Sequence, residues 1–231
     1  MNKLVIISRY NEDITWAENL EADVIVYNKG EDFPYDYPKI DIPNFGREAE
    51  TYVRSILEFY DFFDRYESVS FMQANPFDHC NNPVEMINNA DNKNILHIAT
   101  SSVKQHLHGQ EIFGKNIQVI NKLFDVDIQL DLTYSDFKNN VTENEPSRIM
   151  EYVHNIFMYE ILGLKYNDKT FYWAAGSQYL VPVKYIKNKS LGWWYQLYSL
   201  FQHWEKHITV CDIAGPMERT WPLIWDHEAH E

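Results

Sequence analysis

Three short, nearly continuous apolar runs occupy the first third of the chain: Lys3 to Ser8 (KLVIIS), Asp23 to Tyr27 (DVIVY) and Ser68 to Ala74 (SVSFMQA). Each is too short for an ordinary helix and too continuous for a strand with one wet face. Each therefore reads as a strand covered on both sides, the habit of parallel sheets. Asp13 to Leu20 reads as a short helix between the first two. Strand, helix and strand at this spacing predict a parallel pair joined by a right-handed crossover. Before the third run lies the strongest helical pattern in the chain. Ala49, Tyr52, Val53, Ile56, Leu57, Tyr60 and Phe63 recur at three- and four-residue steps, while Arg47, Glu48, Glu50, Arg54, Glu58 and Asp61 fall largely on the other side. Residues 28–45, rich in Gly, Pro and Asp, read as a loop. These elements predict an α/β fold of doubly wound type, with a mostly parallel central sheet flanked by helices.

The remainder is patterned less sharply. Pro83 to Ala90 reads as a helix and Asn94 to Thr100 as a strand, while Gly109 to Asp136 suggests a helix and then a strand at DVDIQLDL. Ser147 to Leu162 is an amphipathic helix with Ser147 as its cap. TFYWAAGSQYLVPV reads as strand, tight glycine turn and strand, and LGWWYQLYSLFQHW as an aromatic helix. Pro216 opens a last helix, with Glu218 in its first turn. Pro222 has no amide proton to offer the Glu218 carbonyl, which predicts a kink there. No internal repeat or linker divides residues 1–231, so a single domain is expected.

Charge and composition exclude some partners. A formal net charge of −14 over 231 residues disfavours nucleic acid, whose recognition rests on clustered Lys and Arg, and disfavours an anionic membrane surface. No apolar stretch approaches the roughly 20 residues a membrane helix needs, and no leader pattern opens the sequence. Two cysteines, Cys80 and Cys211, form no disulfide framework, which points to a reducing, cytoplasmic setting.

In an open parallel sheet, ligands bind beyond the carboxyl ends of the strands. The first strand runs into Arg9, Tyr10, Asn11 and Glu12, the second into Asn28 and Lys29, and the third into Gln73, Asn75, Asp78 and His79. Gly46 and Arg47 open the long helix, where free amides, a small residue and a guanidinium suit an anion; a loop exit with a surface arginine explains them equally. Asp78 and His79 suit Mn or Mg, or else serve as a turn cap and a surface imidazole. Asp125 and Asp127, with Asp131, share one strand face and form a second cation candidate, or a solvated face. Glu218 is a candidate base and His227 a further metal ligand, with His230 beyond it in the tail. The histidines of HLHGQE lack zinc-ligand spacing. Trp173, Trp193, Trp194 and Tyr195 offer ring faces for a sugar, or core bulk. No GxSxG, Walker loop, HExxH or GxGxxG is present.

The blocks IISRYNEDITW, VYNKG, PNFGREAETYVRSILEFYD, FMQANPFDH, GSQYLVPVKYI and ERTWPLIW, taken in this order, resemble a family of small proteins similar to GT-A-type, nucleotide-sugar-dependent glycosyltransferases. The resemblance implies a GT-A-like, Rossmann-type sheet with a nucleotide-binding half at about 1–110 and an acceptor-side half at about 111–231. It implies that Arg9 to Glu12 meet the nucleoside and Arg47 the diphosphate. Asn75 and Asp78 would stand where a cation motif belongs, although NPFDH is not Asp-x-Asp, and Glu218 would take the acceptor proton. Gly176, Ser177 and Gln178 would line the acceptor side. The expected partners are then a nucleotide diphosphate sugar, most simply a UDP-sugar, a hydroxyl acceptor such as a glycan, and a divalent cation. A nucleotidyltransferase, a glycan-binding module without catalysis and a metal-dependent hydrolase are the rival readings.

Overall fold

The computed structural model describes residues 2–101, 103–106, 170–207 and 214–225. The elements expected within 109–136 and 147–162 lie outside the described residues, as do Asp125, Asp127, Asp131, Cys211, His227 and His230.

A six-stranded mixed sheet organises the described chain. Its strands are β1 (Lys3–Arg9), β2 (Asp23–Asn28), β3 (Lys39–Asp41), β4 (Ser68–Gln73), β5 (Leu96–His97) and β8 (Tyr179–Pro182), in the order β3-β2-β1-β4-β8-β5. The neighbours β3, β2, β1 and β4 are parallel, whereas β8 is antiparallel to both β4 and β5. Five strands thus share one direction and β8 alone opposes them. A separate ribbon pairs β6 (Val103–His106) with β7 (Thr170–Trp173). The helices are α1 (Arg47–Phe59), α2 (Pro83–Asn89), α3 (Val183–Lys187), α4 (Leu191–His207) and α5 (Ala214–Trp225).

The continuous apolar runs are explained by burial on two faces. Leu4, Ile6, Ile25, Tyr27, Val69 and Phe71 point to one side, where they meet Tyr52 and Ile56 of α1, Trp194 of α4, and Trp221 and Trp225 of α5. Val5, Ile7, Val24, Val26 and Met72 point to the other, against Ile14, Trp16 and Ile87. Alternate residues of a strand face opposite ways, so both parities must be apolar. Phe71, Trp225 and Trp221 form a continuous stack with ring centroids 5.4 and 4.9 Å apart.

Several expectations change in the fold. Asp13 to Leu20 contains a short 3-10 helix, Thr15–Asn19, in place of an α-helix. The loop over 28–45 contains β3, a three-residue edge strand paired to the carboxyl half of β2. The strand expected over Asn94 to Thr100 is only two residues long. Glu48 and Glu50, expected on the wet side of α1, are buried because α4 and α5 cover that side. The two strands of TFYWAAGSQYLVPV do not pair with each other but join different sheets. Since β8 comes from beyond residue 110 yet lies between β4 and β5, the two expected halves share one sheet.

The last helix begins at Ala214, so Glu218 sits in its second turn, and the helix continues through Pro222. Pro222 leaves the Glu218 carbonyl without its usual partner four residues on. The Tyr179 hydroxyl supplies a replacement, donating to that carbonyl at 3.2 Å.

Among the described residues, no helix is long and apolar enough to cross a membrane. Cys80 is a buried free thiol.

Candidate functional site

The carboxyl ends of β1, β2 and β4 deliver their polar residues to one edge of the sheet, and each arrives there differently. Arg9 is buried and spends its guanidinium on the local chain. It donates to the carbonyls of Glu12, Tyr10 and Glu31 and to Asn28 Oδ1, the last at 2.6 Å. Asn28 in turn donates to Asp41 Oδ1 and to the Gly30 carbonyl. Glu12 folds back to accept from the amides of Tyr10 and Asn11, while Asn11 Oδ1 accepts from the Glu31 amide. Arg9, Asn11, Glu12 and Asn28 therefore build a rim, from which the Tyr10 ring stands half exposed.

Lys29 is buried just beyond β2. Its ammonium donates to the carbonyls of Phe45 and Arg47 and pairs with Glu50 Oε2 at 3.1 Å. Burial pulls the Lys29 pKa down, and the Glu50 carboxylate partly offsets that. These bonds fasten the start of α1, where Gly46 and Arg47 both adopt positive φ, +58° and +45°. A Cβ on Gly46 would lie 2.7 Å from that of Glu50, so the position requires glycine on two counts. Arg47 is exposed at this strained turn. Among the described residues, four of the five with positive φ, Gly46, Arg47, Gly176 and Ser177, lie at this edge of the sheet.

The second half of the site surrounds the end of β4. Pro76–Asp78 is a 3-10 turn with Asn75 and Asp78 exposed, and His79 ends it. The His79 ring lies against Gly176, where a Cβ would come within 2.5 Å of His79 Cδ2. Gly176, at φ +93°, donates its amide to Glu218 Oε2 at 2.8 Å. Gln178 donates to the Pro76 carbonyl at 3.3 Å, which ties the turn before β8 to the turn after β4. Glu218, His79 and Gly176 to Gln178 thus lie together. Gln73 is half-buried at the strand end beside them.

The end of β1 is tied to α1, where the hydroxyls of Ser8 and Thr51 meet at 2.9 Å. The carboxylates of Glu218 and Glu48 both act on the buried Tyr179 phenol, after desolvation, to raise its pKa. Tyr52 is likewise raised by burial first and by Glu48 second. Glu48, Thr51, Tyr52 and Tyr179 escaped the sequence reading. Tyr52 fell on the apolar face of the helix, and its ring is packed in the core against Phe71 and Trp221.

Ser177 Oγ, Gln178 Oε1 and the Tyr52 hydroxyl are buried without a hydrogen-bond partner among the described residues. A buried polar atom left unpaired costs roughly 1–3 kcal/mol. Two of these atoms belong to neighbouring residues in the turn that the Gly176–Glu218 bond holds.

No group of three metal-ligating side chains gathers among the described residues. Asp78 is a single exposed carboxylate, with His79 turned onto Gly176. Among the described residues these two side chains do not form a cage of protein ligands. Of the aromatic candidates, Trp194 is core, Trp193 packs edge-on against it, and Tyr195 faces solvent at 55% exposure. Those three do not form a common platform.

The fold is that of an α/β protein with a mostly parallel mixed sheet, whose strands β1, β2 and β4 bring polar side chains to one edge. Compared with family models, curated proteins and solved structures, the chain has no significant match.

Proposed function

We propose that the chain is a glycosyltransferase that uses a nucleotide diphosphate sugar, most simply a UDP-sugar, and a hydroxyl acceptor. The observation that carries this reading is the meeting of Glu218 and the strained Gly176–Ser177 turn at the sheet edge that also holds the Gly46–Arg47 turn. In this reading Tyr10 and the rim shaped by Arg9, Asn11, Glu12 and Asn28 receive the nucleoside, and Arg47 and the first amides of α1 receive the diphosphate. Glu218 accepts the proton of the attacking hydroxyl, and attack from the face opposite the diphosphate inverts the anomeric centre. Asp78 would contribute to holding a divalent cation, which when bound offsets charge on the departing diphosphate.

The test combines ligand-induced stabilisation with product analysis. UDP and a panel of UDP-sugars, each with and without Mn, are expected to raise the melting temperature, and Arg47→Ala is expected to reduce that rise. Release of free UDP on adding acceptor supports sugar transfer. Release of pyrophosphate, or no thermal shift with any nucleotide, overturns it.

A further inference from the structure

A groove of about 610 Å³ lies on the opposite face of the sheet from α1, between the 3-10 helix Thr15–Asn19 and α2. Trp16 and Phe77 form its aromatic wall, and its lining also includes Asn81, Asn82, Asn89 and the carboxylates of Glu21 and Glu85. Phe77 is 49% exposed, yet its ring is held in place. It meets Trp16 edge-on with centroids 6.4 Å apart, and the indole nitrogen of Trp16 donates to the Ala74 carbonyl at 2.8 Å. A lone exposed phenylalanine is commonplace; this one packs on a buried indole and borders exposed carboxamides. The side chains of Asn81 and Asn89 are exposed and make no hydrogen bond with the described residues, while Asn82 reaches only Glu85.

The chemistry of this lining selects its ligand. No Lys, Arg or His lines the groove among the described residues, and the Glu21 and Glu85 carboxylates repel anions, so phosphate, nucleic acid and acidic glycans are disfavoured. Carboxamides both donate and accept, as adjacent sugar hydroxyls require, and a ring face covers the C–H face of a pyranose. We infer that this groove binds a neutral oligosaccharide, with Phe77 as the stacking platform and Asn81 and Asn89 as hydrogen-bonding partners. The inference stands apart from the transferase reading. Under that reading the bound glycan is the acceptor, because Phe77 adjoins Asp78 in one turn.

Titration of 15N-labelled protein with cellohexaose, maltohexaose and chitohexaose tests it. At least one is expected to shift the side-chain amide signals of Asn81 and Asn89. Phe77→Ala should weaken that binding by roughly tenfold or more, as loss of a stacked ring implies. Phe77→Trp should retain it, and both variants should melt close to wild type because the ring is half exposed. Raising the salt should leave binding unchanged. The inference is overturned if none of the three sugars shifts those signals at about 10 mM, if Phe77→Ala binds as wild type does, or if affinity falls steeply with salt. Stabilisation by UDP-sugars should be unaffected by Phe77→Ala, so failure here and failure of the transferase reading are separable.

Discussion

At the scale of single residues, the site depends on groups doing two jobs. Glu218 holds the Gly176 amide through one oxygen, and the proposed chemistry asks its carboxylate to take a proton. Glu218→Gln keeps an acceptor for that amide, so the melting temperature should stay near wild type while sugar transfer falls by roughly 10²–10⁴-fold. Glu218→Ala should lose stability as well, by about 1–3 kcal/mol in urea unfolding, because the amide loses its partner. A Gln variant with full turnover would reduce Glu218 to a structural acceptor. Gly176→Ala carries two penalties, a φ of +93° and overlap with the His79 ring. It should cost more than about 1 kcal/mol, read by the same unfolding measurement. Glu218, Gly176, Ser177 and Gln178 were all legible as candidates from the sequence. The bond between Glu218 and Gly176, separated by 42 positions, was not, because no local pattern encodes a contact of that range.

At the scale of elements, α5 shows how tertiary contact overrides a local rule. The sequence correctly marks the Glu218 carbonyl as the acceptor that Pro222 abandons. What keeps the helix running is the phenol of Tyr179, which arrives from β8. Tyr179→Phe should therefore destabilise by about 1–2 kcal/mol, since it orphans that carbonyl. In a Pro222→Ala background the restored backbone amide takes over, and the same change should cost measurably less. Equal costs in the two backgrounds, measured as a double-mutant cycle by chemical denaturation, would refute the substitution of one donor for the other. The long helix α1 was legible from its apolar period. The burial of its Glu48 and Glu50 was not, because periodicity identifies one apolar face and is silent about whether a second layer, here α4 and α5, covers the rest.

At the scale of the whole molecule, the aromatic content of 16% becomes a pH property. The phenols of Tyr27, Tyr52 and Tyr179 are all raised, chiefly by burial. A group whose folded pKa lies above its unfolded value of 10 contributes stability that is complete below pH 10 and lost as the pH climbs toward the folded value. Above pH 10 the unfolded chain therefore ionises first, and each of these three removes up to about 1.4 kcal/mol per pH unit. Lys29 has the opposite sign. Its lowered pKa makes its contribution grow as pH rises toward 10.5 and level off beyond, so it does not reverse the trend. Stability from urea titrations should fall steeply above pH 10, with phenolate absorbance appearing together with unfolding; a flat profile to pH 12 would contradict the burial of these rings. By itself, the sequence determined the α/β class, the parallel opening strands, α1 and the polar strand ends, because each is written in spacing over a few residues and in the physics of covering a backbone. Only the tertiary structure decided that β8 enters the sheet antiparallel, that Arg9 and Lys29 turn inward to shape the rim and brace α1, and that Glu218 reaches Gly176. Those outcomes depend on which distant surfaces bury one another, and a pairing across a hundred residues leaves no periodic trace along the chain.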